Sequence, residues 1–332
     1  MISKLPFYIL SLIVLFTFER CGKEDSSLSG KVIVIDPGHG GTAATDSYRV
    51  GPGGEREEWI DLRVGLLLRD LLEEKGGKVL MTRTEDVIVP LADRSKLAVD
   101  NKADLFVSIH HNATADSSVN FPIIYFHGVA SQNIAGVEFA RTLGNKLGEY
   151  MYDEDSPVSI VSDFTIFSTA GTSVLRGSYG IPGVVAEASF FTNPEEEQRL
   201  KQQSYNKVEA IAYTEAIEDF FSRHVPDILP KDTTSFPKKF RTLQEAERMS
   251  PTAKRWSQDF EEALALMNQE DTASIHQAYE LFTRSARSFP DSYLAGACHQ
   301  FRVELLRKMG RTDEAEDAEK RVREFYPGFI ND

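Results

Sequence analysis

Short, nearly continuous apolar runs take turns with longer stretches of helical spacing along residues 31–225. "KVIVI" (31–35), "KVLMTR" (78–83), "ADLFVSIHHN" (103–112), "FPIIYFHG" (121–128) and "IPGVVAEASFF" (181–191) read as strands. "EWIDLRVGLLLRDLLEEKGG" (58–77), "RSKLAVDNK" (94–102), "QNIAGVEFARTLGNKLGEYM" (132–151) and "SYNKVEAIAYTEAIEDFFSRH" (204–224) read as helices, the first stopped by two glycines. Strands that alternate with helices predict an α/β fold, with a mostly parallel twisted sheet and helices on both faces. Strands that are apolar almost throughout fit burial on both sides.

Outside that stretch the texture changes. "VPDILPKDTTSFPKK" has three prolines and little periodicity, so residues 225–240 are expected to form a linker after a catalytic domain at 30–224. Residues 241–332 read as a small all-α C-terminal domain. Within it, "IHQAYELFTRSARSFP" and "RTDEAEDAEKRVREFYP" are helices closed by an aromatic residue and Pro. The pair resembles a tetratricopeptide unit, whose period is about 34 residues. The alternative is a plain helical hairpin packed on the catalytic domain. At the other end, Lys4 precedes the mostly apolar run Leu5–Phe18, too short for the roughly 20 residues of a membrane span. Residues 1–21 therefore read as an export signal, and Cys21 with the polar stretch behind it resembles the lipidation site of a bacterial lipoprotein. Arg20 departs from the small residue expected before such a cysteine. The expected location is the periplasm or cell envelope, with the membrane touched only through the N-terminus. A formal net charge of −14 argues against a nucleic-acid partner, which needs a basic footprint. Two cysteines, Cys21 and Cys298, imply no disulfide framework.

Three of the strands end in a residue capable of chemistry. "KVIVI" leads through "DPGHGG" to His39, "DLFVSI" to His110 and "GVVA" to Glu187. Open α/β sheets bind ligands outside the carboxyl ends of their strands, so these residues are expected at one edge. Gly38, Gly40 and Gly41 let the chain wrap closely around whatever His39 holds. Two histidines and a carboxylate are the donors of a catalytic zinc, which keeps one position open. His110 and His111 are neighbours and point to opposite faces of a strand, so only one of them serves easily as a ligand. The first helix offers Glu55, Glu57 and Glu58. Its apolar face runs through Ile60, Val64, Leu67, Leu68 and Leu71, and Glu57 lies three residues before Ile60 on that face. Glu57 is therefore expected to point inward, and Glu55 and Glu58 to favour the helix N-terminus. Asp36 is expected to hold the turn or support a ligand histidine.

"VIDPGHGG", the acid-rich helix start, "ADLFVSIHHNA" and "IPGVVAEASFFTNPEE" occur in that order. Together they resemble the zinc-dependent N-acetylmuramoyl-L-alanine amidases of bacterial cell-wall turnover, over residues 31–222. The resemblance implies peptidoglycan as substrate, zinc bound by His39, Glu57 and His110, and Glu187 as catalytic acid/base. Asn112 is a candidate either to orient substrate or to close its strand, and Arg176 of the "VLR" segment is a candidate substrate contact. This chain lacks the family's Asp-Arg-Gly stretch before "VLR" and carries Glu58 where Lys is usual. No wall-binding repeat is evident, and the C-terminal helices are a candidate surface for a protein partner. Two rival readings keep much of this picture: a zinc peptidase acting on other cell-wall peptides, and a non-catalytic peptidoglycan-binding lipoprotein. The second would be expected to lack Glu187 or a ligand.

Overall fold

A computed structural model describes residues 27–329, apart from 244, 268 and 270. The leader reading, Cys21 included, lies outside the described residues. The chain opens with β1 (Val32–Pro37), α1 (Glu57–Glu74), β2 (Lys78–Met81), α2 (Leu91–Asp100) and β3 (Leu105–Asn112). It continues through β4 (Ile123–Phe126), α3 (Ile134–Met151), β5 (Ser159–Ser162), α4 (Ser173–Gly177) and β6 (Gly183–Phe190). The helices α5 (Pro194–Leu200) and α6 (Gln203–Phe221) close this part. The tail adds α7 (Glu245–Arg248), α8 (Trp256–Met267), α9 (Thr272–Ser288), α10 (Ala295–Lys308) and α11 (Thr312–Phe325).

The six strands form one sheet in the order β2-β1-β3-β6-β4-β5. β2, β1, β3 and β6 run parallel. β4 lies antiparallel to β6, and β5 runs parallel to β4. The α/β, mostly parallel sheet is thus as expected, with one reversal and one strand, β5, that the apolar pattern did not reveal.

One face of the sheet is covered by α1, α3 and α6. Ile60, Val64, Leu68 and Leu72 of α1 recur every fourth residue and are fully buried there, with Leu143 of α3 and Ile217 of α6. Gly65 lets α1 approach closely, because a side chain at that position would meet Pro37 and Met81. The other face is covered by α2, α4 and the tail. Val34, Phe106, Ile123 and Val185 of the sheet share a core with Trp256, Phe289, Ala295, Phe325 and Tyr326. Burying one such large side chain contributes about 1.5–3 kcal/mol, so the tail is held by its aromatic residues.

Residues 225–240 are correspondingly not a free linker. The Leu229 N–H donates to the Gln132 carbonyl at 2.8 Å, and Gln132 Nε2 donates to the Asp232 carbonyl at 2.9 Å. The Phe236 ring lies 4.8 Å from that of Phe164 and 6.3 Å from that of Phe325. The segment joins the loops around Gln132 and Phe164 to Phe325 of the tail.

Candidate metal centre

β1 delivers the chain to the carboxyl edge of the parallel strands, where it turns sharply. The Gly38 N–H donates to the Ile109 carbonyl of β3 at 2.9 Å, and His39 then adopts a φ of 52°. That left-handed conformation is uncommon for a residue with a Cβ, and two buried guanidiniums hold it. Arg83 donates to the carbonyls of Pro37 (3.0 Å) and Gly38 (2.6 Å), and Arg94 to those of Pro37 (2.8 Å) and His39. Arg94 is itself fixed by Asp36 at 2.7 Å, and Asp36 also accepts from Thr82 Oγ1 (2.6 Å) and Ser108 Oγ (2.8 Å). Gly38 answers to a steric need: a Cβ there would fall within the His110 imidazole.

Glu57, the first residue of α1, sits between the two histidines. Its Oε1 is 2.9 Å from His39 Nε2 and 3.0 Å from His110 Nδ1. One donor atom from each of His39, Glu57 and His110 lies within 4.8 Å of the others. Burial pushes the Glu57 carboxyl up, yet the imidazoles, His39 foremost, hold it well below the usual carboxylate range. Burial likewise opposes charge on His110, but its hydrogen bond to Glu57 and the nearby Glu187 carboxyl raise it to about 9. The cluster is built to accommodate positive charge between its donors.

Glu187 on β6 is the direct cross-strand partner of His110 on β3, and paired residues project from the same face. Burial raises its carboxyl to about 8; His110 opposes this, and Glu57 and Asp61 add to it. Its buried Oε2 has no hydrogen-bond partner among the described residues. The structure therefore gathers His39, Glu57, His110 and Glu187 at one edge.

Other expected residues lie differently. Asn112 ends β3, and its Oδ1 accepts the N–H of Ala113 at 2.8 Å, which closes the strand locally. Arg176 lies on α4, which precedes β6. Its guanidinium donates to the Ala170 and Gly171 carbonyls at 3.1 and 3.3 Å. Glu55 pairs with Arg63 at 2.8 Å, whereas Glu58 is fully buried and accepts from Arg56 Nε at 2.7 Å.

Sequence reasoning passed over three groups. Arg83 and Arg94 gave no signal, since nothing in their neighbourhood marks which carbonyls they reach. The third is a buried relay behind the site: His111 faces the opposite side of β3, with Nδ1 2.9 Å from Asp61 and Nε2 3.2 Å from Glu209. Asp61 stands one helical turn after Glu57, so the spacing that selected Glu57 also points to it.

Comparison with known proteins identifies a family. Residues 33–219 match the family described as N-acetylmuramoyl-L-alanine amidase. Among curated proteins, N-acetylmuramoyl-L-alanine amidase AmiC of Escherichia coli O6:H1 is 30% identical over 225 residues, 58% of this chain and 53% of that protein. The AmiA amidase of Escherichia coli K12 is 26% identical over 231 residues, 60% of this chain and 79% of that protein. The chain thus spans about half the length of the first of these relatives. Among solved structures, the AmiC2 amidase of Nostoc punctiforme superposes with a TM-score of 0.50 at 28% identity, covering 59% of this chain and 99% of that one. With residues 33–219, more than half of its length, matched by the family, the chain belongs to the N-acetylmuramoyl-L-alanine amidase family.

Proposed function

We propose that this protein hydrolyses the amide joining N-acetylmuramic acid to L-alanine in peptidoglycan, with zinc held by His39, Glu57 and His110. The observation that carries the reading is the convergence of two imidazoles and one carboxylate within 4.8 Å. They are the donor types and number of a catalytic zinc site that leaves a position open, and the unpartnered Glu187 Oε2 beside them fits a group that awaits water or substrate. When bound, zinc supplies Lewis acidity, polarising a carbonyl and acidifying water.

The chain's own residues do the rest. Glu187 accepts a proton from the attacking water and returns it to the leaving amine. Burial raises its carboxyl above the ordinary range, which suits a group that must hold a proton before passing it on. Arg83 and Arg94 keep the His39 turn in place, so the imidazole does not have to reorganise during the reaction. Asn112, whose side chain accepts from the next backbone amide, and Arg176, whose guanidinium donates to Ala170 and Gly171, are not assigned a chemical step in this scheme. Peptidoglycan lies outside the cytoplasm, so the proposal includes export, with Cys21 as the candidate anchor. Among the described residues, no helix is long and apolar enough to cross a membrane.

Glu187→Gln tests the reading. Metal content should stay at the wild-type level while release of L-Ala-initiated stem peptides from purified sacculi falls by about 10²–10⁴-fold. Near-normal release would defeat the role of Glu187. Products cut within glycan-free peptides, and none at the muramoyl bond, would favour the peptidase alternative instead.

A further inference from the structure

The tail encloses a cavity of about 530 Å³ among α9, α10, α11 and residues 238–240. In a chain of net charge −14, its walls concentrate cations: Lys238, Lys239, Arg287, Arg302, Arg311 and Arg321. Arg311 is forked onto Glu314 at 2.7 and 2.6 Å. Two others have no such partner although they are buried. Arg302 and Arg321 are only 8% and 6% exposed. Arg302 donates to neutral atoms alone, Thr283 Oγ1 at 2.9 Å, His299 Nδ1 at 2.8 Å and Tyr279 Oη at 3.3 Å. Arg321 donates to the Lys238 carbonyl. Neither forms an ion pair with a carboxylate among the described residues.

Burying a charge without a counter-ion is costly. Part of that cost is offset by the Phe240 ring, which both guanidiniums face at 4.7 and 5.3 Å from its centroid. Burial and the same two guanidiniums hold His299 uncharged, so it accepts from Arg302 and adds no charge. Neither guanidinium is paired with an anion, and guanidinium forks match planar oxyanions. The rim narrows the choice. Glu280, Glu314 and Asp317 also line the cavity; they can accept the N–H groups of a peptide, donors that a polyphosphate lacks. We propose that this cavity binds an acidic peptide segment, whose carboxylate docks on Arg302 and Arg321.

The test is fluorescence anisotropy of the full chain with a fluorescein-labelled Ala-Glu-Leu-Asp-Glu peptide bearing a free carboxyl terminus. Saturable binding is expected, weakened by about tenfold or more in Arg321→Gln. The exposed rim variant Arg287→Glu removes a cavity cation without disturbing the buried pair. It should also weaken binding while leaving the circular dichroism spectrum unchanged. The all-Gln, C-terminally amidated peptide should not bind, and equimolar pyrophosphate should not displace the acidic one. Absence of saturable binding, indifference to both substitutions, equal binding of the uncharged peptide, or ready displacement by pyrophosphate would each overturn the proposal.

Discussion

Gly38 and His110 show how closely single residues are coupled at the metal edge. Gly38→Ala would press a methyl group into the imidazole of His110. Metal occupancy by atomic emission should drop sharply, while the sheet remains folded by circular dichroism. Protonation is coupled just as closely. Because His110 is raised to about 9, zinc bound as proposed would have to displace a proton at neutral pH. Calorimetric titration in two buffers of different ionisation enthalpy should register that proton release. The same shifts set a stability slope in metal-stripped protein. His110 is raised from 6.5 and Glu187 from 4.5 to about 8, so the folded state binds more protons than the unfolded state between pH 6.5 and 8. Stability in that window therefore falls as pH rises. The melting temperature should decline from pH 6.5 to 8, and zinc should flatten the decline.

At the scale of elements, the turn after β1 depends on one buried ion pair. Asp36–Arg94 ties β1, β3 and α2 together and fixes the carbonyls around His39. Asp36→Ala leaves the Arg94 charge unpaired and should cost about 3–5 kcal/mol in urea denaturation. This level also shows what was legible beforehand. β1, β3 and β6 could be read because each is a continuous apolar run ending in a polar residue, and Glu57 because helical spacing fixes direction. β5 could not, since "SIVS" offers four residues with serines at both ends. Nor could the reversal at β4, because its residues are apolar on both faces and carry no mark of direction. Glu58 escaped too: a glutamate at a helix start reads as solvated, and its partner Arg56 is recognisable only once the turn at 46–56 is folded.

On the scale of the whole molecule, the tail belongs to the core. The aromatic-Pro helix ends that suggested a repeat are the parts that dock: Phe289 lies 5.8 Å from Phe121 and 6.3 Å from Phe190, and Tyr326 Oη donates to the Pro290 carbonyl at 2.8 Å. Sequence could not separate a repeat from a packed hairpin, because both bury the same residues. Phe289→Ala should destabilise the full chain by about 3–5 kcal/mol. Truncation after Arg223 should expose Phe121, Val161 and Phe190 and yield a chain that precipitates or melts without cooperativity in calorimetry. A soluble, cooperatively melting fragment would contradict this account.

β1 also gives the molecule a compass bearing. Leu28 is bound to the end of α1, its N–H donating to the Lys75 carbonyl, so the chain enters at the amino edge of the parallel strands. β1, six residues long, leaves at the edge that carries His39, about 20 Å away at the rise of a β-strand. A protein moored by its leader would therefore face outward, with its chemistry at the end remote from the mooring.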